Sequence, residues 1–148
     1  MSAATFEWDD RYLVGLARVD DTHREFARLV DAMLCADETT ADGAMTAFAA
    51  HLEDHFAVEE GLMERYRFPA RDCHVDEHNR VRESVREVAE LVKGGRADLC
   101  RDLAQALADW FPGHSDYMDS ALVIWVTKKT ANGAPVVLRR PGPAQVNY

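Results

Sequence analysis

The sequence has no long apolar run. A membrane-spanning helix needs about 20 consecutive, mostly apolar residues, and no stretch of this chain approaches that length. The first ten residues, MSAATFEWDD, are acidic and lack the apolar core of a signal peptide. We therefore expect a cytoplasmic protein that has no membrane partner.

Positive charge and cysteine are also scarce. Seventeen Lys and Arg stand against 26 Asp and Glu, which gives a formal net charge of −9. Nucleic-acid phosphates repel so acidic a chain, and we expect no nucleic-acid partner. The three cysteines form no Cys-x-x-Cys pair, which argues against a disulfide framework or a thiolate metal site.

Apolar residues recur at steps of three and four through four segments of the chain. This pattern predicts an all-α protein, an antiparallel up-down-up-down four-helix bundle preceded by an extended aromatic arm. The predicted helices begin near Asp20 or Asp21, cover 41–66 and 70–93, and resume at Asp98. Pro112-Gly113 is predicted to interrupt the fourth helix, because proline lacks a backbone donor.

The domain prediction assigns residues 1–126 to the bundle and 127–148 to an irregular C-terminal tail. Three prolines and two glycines in the last nineteen residues argue against regular structure there. The chain is otherwise long enough to bury a core of ordinary size.

Histidines occur at helical spacing in the middle of the chain. Four of the six form two pairs whose partners are four positions apart: His51/His55 and His74/His78. Glu59 follows His55 by the same step, and residues four apart lie on one face of a helix. The break at 67–70 predicts a turn between two antiparallel helices, so that both present these groups at one end.

The remaining histidines extend this arrangement to all four helices. His23 falls near the start of the first helix and His114 late in the fourth. In an up-down-up-down bundle these ends meet at the same pole. The positions lie on core-facing stripes, where an unpaired polar group costs several kcal/mol. A bound cation is the simplest compensation, and the sequence therefore predicts a metal site.

A two-metal site would need one more carboxylate, and the candidates are Asp116 and Asp119. On an ideal α-helix Asp119 would lie about 140° from His114, which counts against it. The disturbance at Pro112-Gly113 weakens that objection. Spacing alone leaves both candidates open.

Four segments that carry these residues resemble the ligand motifs of the hemerythrin family. They are VDDTH (19–23), HFAVEEGLM (55–63), HVDEH (74–78) and WFPGHSDYMD (110–119). The resemblance extends over residues 6–122. It implies a non-haem di-iron centre with two iron ions and an oxo or hydroxo bridge.

The same resemblance implies the ligand set. One iron would take His74, His78 and His114, and the other His23 and His55. The bridging carboxylates would be Glu59 and Asp119. Here the choice of Asp119 over Asp116 rests on the resemblance.

The resemblance also implies reversible dioxygen binding at the open position of the iron that has two histidines. Dioxygen would be stored, sensed or delivered to an oxygen-consuming enzyme, so we expect an oxygen-binding protein rather than an enzyme. Aromatic residues beside three of the histidines are predicted to line the pocket: Phe26, Phe56 and Trp110. Ser115 is included because it departs from the family, in which a branched aliphatic residue usually follows the last histidine.

Two alternative functions stay open. A di-iron centre can also serve a peroxidase- or ferroxidase-like enzyme, and the sequence does not separate that possibility from oxygen binding. Residues 74–78 match H-x-x-E-H, a zinc-peptidase motif in which Glu77 would be the general base. That motif leaves His23, His55 and His114 without a role, so we rank it far below the di-iron centre.

Several neighbouring polar residues are predicted to lie outside the ligand set. His51 is a turn away from His55 and is assigned to the surface or to a supporting role. Glu60 points off the core-facing stripe and is predicted to be solvated. Asp20 and Asp21 are predicted to cap the first helix.

Overall fold

The polypeptide forms a bundle of helices joined by short turns. A computed structural model of the chain describes residues 5–131. The α-helices are α1 (Ala17–Leu34), α2 (Ala41–Arg65), α3 (Arg71–Lys93), α4 (Asp98–His114) and α5 (Ser120–Thr130). A 3-10 helix covers Asp10–Tyr12, and a π-helix, Ser115–Asp119, joins α4 to α5. The predicted all-α four-helix bundle is confirmed.

The first four α-helices form the bundle. α1 packs against α2 and α4, and α3 packs against the same two helices. The connections between consecutive helices are short, so neighbours run antiparallel. α5 continues from α4 and contacts α2.

The buried apolar residues form two separate clusters, and a layer of polar side chains lies between them. Along α1, His23 stands between Val19 of the smaller cluster and Phe26 of the larger one. Along α2, His55 and Glu59 likewise stand between Leu52 of the larger cluster and Leu62 of the smaller one. Apolar packing on both sides of the polar layer fixes the position of that layer along the bundle axis.

The N-terminal arm packs on α1, and its attachment corrects the predicted start of that helix. α1 begins at Ala17, before Asp20 and Asp21. The buried Asp20 carboxylate accepts hydrogen bonds from the backbone N–H groups of Val14, at 2.7 Å, and Gly15, at 3.2 Å. Asp20 therefore ties the arm to the first turn of α1, and the exposed Asp21 pairs with Arg24. Neither residue caps the helix as predicted.

The end of α3 at Lys93 agrees with the predicted range 70–93. Gly95 has a φ of 108°, a conformation that glycine adopts without strain. The N–H of the next residue, Arg96, bonds to the carbonyl of Leu91 at 3.0 Å, as in a Schellman motif.

The α-helical bonding pattern of the fourth helix changes a few residues after Pro112 and continues through Pro112 itself. α4 runs through Pro112 to His114, which corrects the predicted interruption at Pro112-Gly113. The backbone then forms the π-helix, where the Ser120 N–H bonds to the Ser115 carbonyl five residues earlier. Such π segments lie within longer helices, often at functional sites.

α5 continues to Thr130, four residues beyond the predicted domain boundary at 126. Residues 132–148, which make up most of the predicted tail 127–148, lie outside the described residues. Within residues 5–131, no helix has the length and apolarity that crossing a membrane would require.

Candidate metal centre

The polar layer brings together seven side chains, each at most 7 % exposed. Every helix of the bundle contributes, and so does the π-helix. The seven residues are His23, His55, Glu59, His74, His78, His114 and Asp119. They are the residues predicted as metal ligands, and their donor atoms form two groups that could each hold a metal ion.

The first group, called here the three-histidine group, contains His74, His78 and His114. Oε1 of Glu59 lies 3.1 Å from Nε2 of His78 and 3.5 Å from Nε2 of His74. Oδ1 of Asp119 lies 3.0 Å from Nε2 of His74 and 3.3 Å from Nε2 of His114. Three imidazole nitrogens and one oxygen of each carboxylate thus face a common point.

The second group, called here the two-histidine group, contains His23 and His55. The other oxygen of Glu59, Oε2, lies 2.9 Å from Nε2 of His55 and 3.3 Å from Nε2 of His23. The other oxygen of Asp119, Oδ2, lies 3.0 Å from Nε2 of His23. Each carboxylate therefore turns one oxygen to each group, which is the geometry of a bridging ligand.

The π-helix brings Asp119 into this arrangement. In an α-helix, residues five apart differ by about 140° in direction, whereas i→i+5 bonding turns them to the same side. His114 precedes the π-helix and Asp119 ends it, so both side chains enter the polar layer. Asp116, the other candidate, is exposed.

The donor atoms are close together but poorly aligned for hydrogen bonds with one another. Six of them make no hydrogen bond within the described chain: Nε2 of His74, His78 and His114, Oε1 of Glu59, and both oxygens of Asp119. Leaving buried polar atoms unpaired costs about 1–3 kcal/mol each, and more for charged groups. Metal coordination would satisfy these lone pairs, so the residues fit a metal centre.

Without metal, protons balance part of the buried negative charge. Burial disfavours a charged imidazole, but the nearby carboxylates of Asp119 and Glu59 outweigh it and raise the pKa of His23 to about 10. The same contributions raise the pKa of His74 to about 9. Burial opposes ionisation of Asp119 as well, but its histidine partners lower the pKa of that carboxyl. Histidine partners likewise outweigh burial and lower the pKa of Glu59, so both carboxylates are ionised, and protons compete with metal for the imidazoles.

Two residues outside the ligand sets each orient a histidine through a contact with its Nδ1 atom. Nδ1 of His55 lies 3.2 Å from Nε2 of the half-buried His51, which gives His51 the supporting role that we predicted as one possibility. Burial, and next the charge of His55, lowers the pKa of His51 to about 4. A neutral His51 can accept the Nδ1–H of His55.

The second contact corrects the prediction that Glu60 is solvated. Glu60 Oε2 lies 2.7 Å from Nδ1 of His78, and Arg82 pairs with the same carboxylate at 2.9 Å. Burial alone would raise the pKa of Glu60, but the hydrogen bonds from Arg82 and His78 lower it. Sequence reasoning missed this contact because the partner of Glu60 lies on another helix.

The aromatic residues predicted as pocket lining divide between the two groups. Phe26 meets His55 edge-on at 5.7 Å between ring centroids. Phe56 stacks on His78 at 3.7 Å, and Trp110 stacks on His114 at 4.3 Å. Trp110 is half-buried, and its indole N–H donates to Glu77 at 2.8 Å.

Sequence reasoning missed Phe111, which is fully buried beside the two-histidine group. Its ring meets His23 edge-on at 5.0 Å and stacks on Phe26 at 4.8 Å. The apolar stripe of α4 passes through Leu107, from which a step of three reaches Trp110 and a step of four reaches Phe111. Both steps fit a helix, so spacing alone did not choose between them.

Ser115 is buried, with 2 % of its surface exposed, and its Oγ makes no hydrogen bond within the described residues. It follows His114 directly and opens the π-helix. A buried hydroxyl without a partner beside a metal-type histidine keeps Ser115 a candidate for the pocket, and its place there stays a prediction.

Glu77 does not have the position that a peptidase mechanism requires. Its carboxylate accepts the Trp110 indole N–H and pairs with Arg80 at 3.0 Å. It belongs to neither of the two donor groups. The H-x-x-E-H pattern therefore has its histidines in the metal centre and its glutamate outside it.

Comparison with known proteins agrees with this geometry. Residues 14–125 match the family model described as "Hemerythrin HHE cation binding domain". A bacteriohemerythrin of Ralstonia nicotianae is 36 % identical over 123 residues, covering 83 % of this chain and 90 % of that protein. A bacteriohemerythrin of Aquifex aeolicus is 32 % identical over 113 residues, covering 72 % of this chain and 86 % of the relative.

Proposed function

The chain belongs to the hemerythrin family, as its motifs predicted, and from this premise we propose that it holds two iron ions and binds dioxygen reversibly. The three-histidine group would hold one iron and the two-histidine group the other, with Glu59 and Asp119 as bridges. A ferrous pair would supply the two electrons by which dioxygen is held. Imidazole-rich ligation suits iron, and reversible oxygen binding needs a redox-active metal.

The single observation that carries this proposal is the shared use of two buried carboxylates by unequal histidine groups. Five imidazole nitrogens and four carboxylate oxygens exceed what one tetrahedral zinc ion accepts. The two-histidine group has one donor fewer than the other. The missing donor supports an open coordination position on that side, which an exogenous ligand such as dioxygen requires.

The surroundings of the two-histidine group support an apolar ligand. Phe26 and Phe111 are fully buried and stack on each other beside His55 and His23. Dioxygen is apolar and partitions into such a wall, whereas water and protons are disfavoured there. The chain's role would be to orient the donors and to exclude water from the open position.

The proposal extends to a use for the bound gas. Storage, sensing, or delivery to an oxygen-consuming enzyme partner in the cytoplasm are the uses that the resemblance to the hemerythrin family implies. Dioxygen would be the physiological ligand, and a recipient enzyme would be recognised by its consumption of oxygen.

The test is anaerobic loading of the metal-free protein with ferrous iron, followed by repeated exposure to dioxygen and argon. We expect both positions to fill and the visible absorption of the oxygenated form to appear and disappear over several cycles. A spectrum that changes once and never reverts, together with catalytic turnover of hydrogen peroxide, would overturn reversible binding and favour the oxidative enzyme.

A further inference from the structure

Glu60, His78, Arg82 and Phe56 form a closed set of contacts outside the two donor groups. His78 Nδ1 lies 2.7 Å from Glu60 Oε2, and the Phe56 ring stacks on the His78 imidazole with an interplanar angle of 5°. Arg82 bonds to both oxygens of Glu60, at 2.9 and 3.2 Å, and lies over the Phe56 ring. The His78 imidazole is thus held at its edge by a carboxylate and on its face by a ring.

The edge contact determines which nitrogen of His78 carries the proton. Nε2 lies 3.1 Å from Glu59 Oε1 inside the three-histidine group. An ionised carboxylate only accepts hydrogen bonds, so Nδ1 must be the donor to Glu60. In the neutral imidazole this leaves the Nε2 lone pair free to face the centre.

No other histidine of the centre has such a partner within the described chain. Nδ1 of His23, His74 and His114 makes no hydrogen bond there. Nδ1 of His55 faces His51, which is a neutral acceptor. Of the five imidazoles, one therefore has a negatively charged acceptor at Nδ1. That imidazole is His78, which belongs to the three-histidine group.

Arg82 holds the carboxylate in this position. Its guanidinium bonds to Glu60 on one side and, through Nε, to Glu53 at 3.2 Å on the other. Glu60 keeps 25 % of its side chain exposed, whereas Glu53 keeps 66 %. The network reaches the surface at Glu53, and only Glu60 touches a histidine of the centre.

We propose that Glu60 is a positioning residue that fixes the tautomer of His78 and, through its negative charge, strengthens that imidazole as a metal donor. Carboxylates behind metal-binding histidines raise ligand basicity, and their loss typically weakens metal binding about 10–100-fold. A more basic donor also favours the more highly charged state of the metal. Glu60 thus stabilises the ferric state in the three-histidine group. This inference rests on the proposed metal centre.

The test uses Glu60→Gln, which keeps the size and an acceptor oxygen but removes the charge. Glu53→Gln is the matched control, because it removes a carboxylate from Arg82 without touching His78. Affinity is measured with Co²⁺ alone against a competing chelator. We expect Glu60→Gln to bind about 10–100-fold more weakly and Glu53→Gln to stay close to the wild type.

Two further readouts separate positioning from a merely structural role. The midpoint potential of the iron-loaded protein should rise in Glu60→Gln and stay unchanged in Glu53→Gln. The melting temperature of the metal-free protein should be similar in both variants. If Glu60→Gln does not fold, Arg82→Gln is used instead, which keeps the charge of Glu60 but frees its side chain. We then expect a loss of Co²⁺ affinity that is smaller than the loss expected for Glu60→Gln.

The outcomes are separable from those that test the proposed function. Failure of the wild type to take up iron would overturn the proposed function, whichever way the Co²⁺ comparison falls. Equal Co²⁺ affinities in Glu60→Gln and the wild type would overturn the role of Glu60. An equal loss in Glu60→Gln and Glu53→Gln would also overturn it, since the effect would then belong to Arg82.

Discussion

The two halves of the centre share their carboxylates and differ in almost everything else. The three-histidine group has a third imidazole, rings stacked on His78 and His114, and a carboxylate behind His78. The two-histidine group has edge-on phenylalanine rings and a neutral histidine behind His55. In the proposed centre the first half would hold its ion with more donors, and the second would combine an apolar wall with an open coordination position.

The asymmetry suits the proposed function, in which two unequal metal sites would serve one ligand. A fully ligated ion can exchange electrons but cannot bind a new ligand directly. An under-ligated ion can bind one, and it is best surrounded by apolar side chains that keep water away. The shared carboxylates couple the two halves.

The largest effect is expected from Glu59→Ala, which removes one donor oxygen from both halves at once. Because metal binding is coupled to folding free energy, we expect both ions to be lost and the melting temperature in the presence of metal to fall to the metal-free value. Metal analysis after gel filtration and thermal unfolding measure this. The control is Glu64→Ala on the same helix, whose side chain is 75 % exposed. Retention of both ions would refute the bridge.

The next largest effect is expected from His23→Ala, which should disrupt the two-histidine group and leave the three-histidine group intact. The two-histidine group would keep three donors. We expect about one ion per chain to remain, bound in the three-histidine group. The metal affinity of the two-histidine group should fall by more than the loss of a supporting residue would cause. The matched control is His51→Ala, which should keep both ions because His51 lies behind His55. Equal metal loss in the two variants would mean that His51 belongs to the ligand set.

Metal binding is expected to depend on pH. The pKa values of His23 and His74 are raised to about 10 and about 9. Their protonation stabilises the metal-free fold below pH 6.5, and this contribution is lost as pH rises through 9 to 10. Metal needs neutral imidazoles, so affinity should rise with pH, by up to about tenfold per pH unit for each proton displaced.

At pH 7 the imidazoles of His74 and His23 should both carry a second proton in the metal-free protein, so metal binding should release protons to the buffer. Calorimetric titration with metal at pH 7, in two buffers that differ in ionisation enthalpy, measures the protons released. Binding heats that are identical in the two buffers would contradict this prediction.

The smallest effect is expected from Ser115→Ile, which replaces a buried hydroxyl by an aliphatic side chain. A more apolar wall disfavours the water and protons that would release the ligand in reduced form and leave oxidised iron behind, so the oxygenated form should decay several-fold more slowly. Decay at one pH is followed by absorption. Ser115→Ala separates the loss of the hydroxyl from the added bulk, and equal lifetimes in all three proteins at equal iron content would remove Ser115 from the pocket.

Much of the fold and most of the candidate metal centre could be predicted from the spacing of apolar, histidine and glutamate residues in the sequence. The histidines and Glu59 repeat at helical steps on stripes that otherwise hold core residues, and short turns force their helices antiparallel. Asp119 was not readable in this way, because the π-helix changes the angle between it and His114. A backbone bonding pattern of this kind leaves no signature in side-chain periodicity.

The supporting residues were the least predictable. Glu60 and Phe111 each stand one position from a residue that the stripe does select, and one position turns a side chain by about 100°. Their contacts are made with other helices and depend on how the helices are rotated against each other. Asp20 was misread for a similar reason, since its partners lie in the arm and not in its own helix.

The central claim is that two unequal groups each hold one iron through shared carboxylates. Mössbauer spectroscopy of protein loaded with ⁵⁷Fe and exposed to dioxygen tests it most directly. We expect two distinct iron signals of equal area that belong to one coupled, diamagnetic pair. A single signal from a magnetically isolated iron would contradict it.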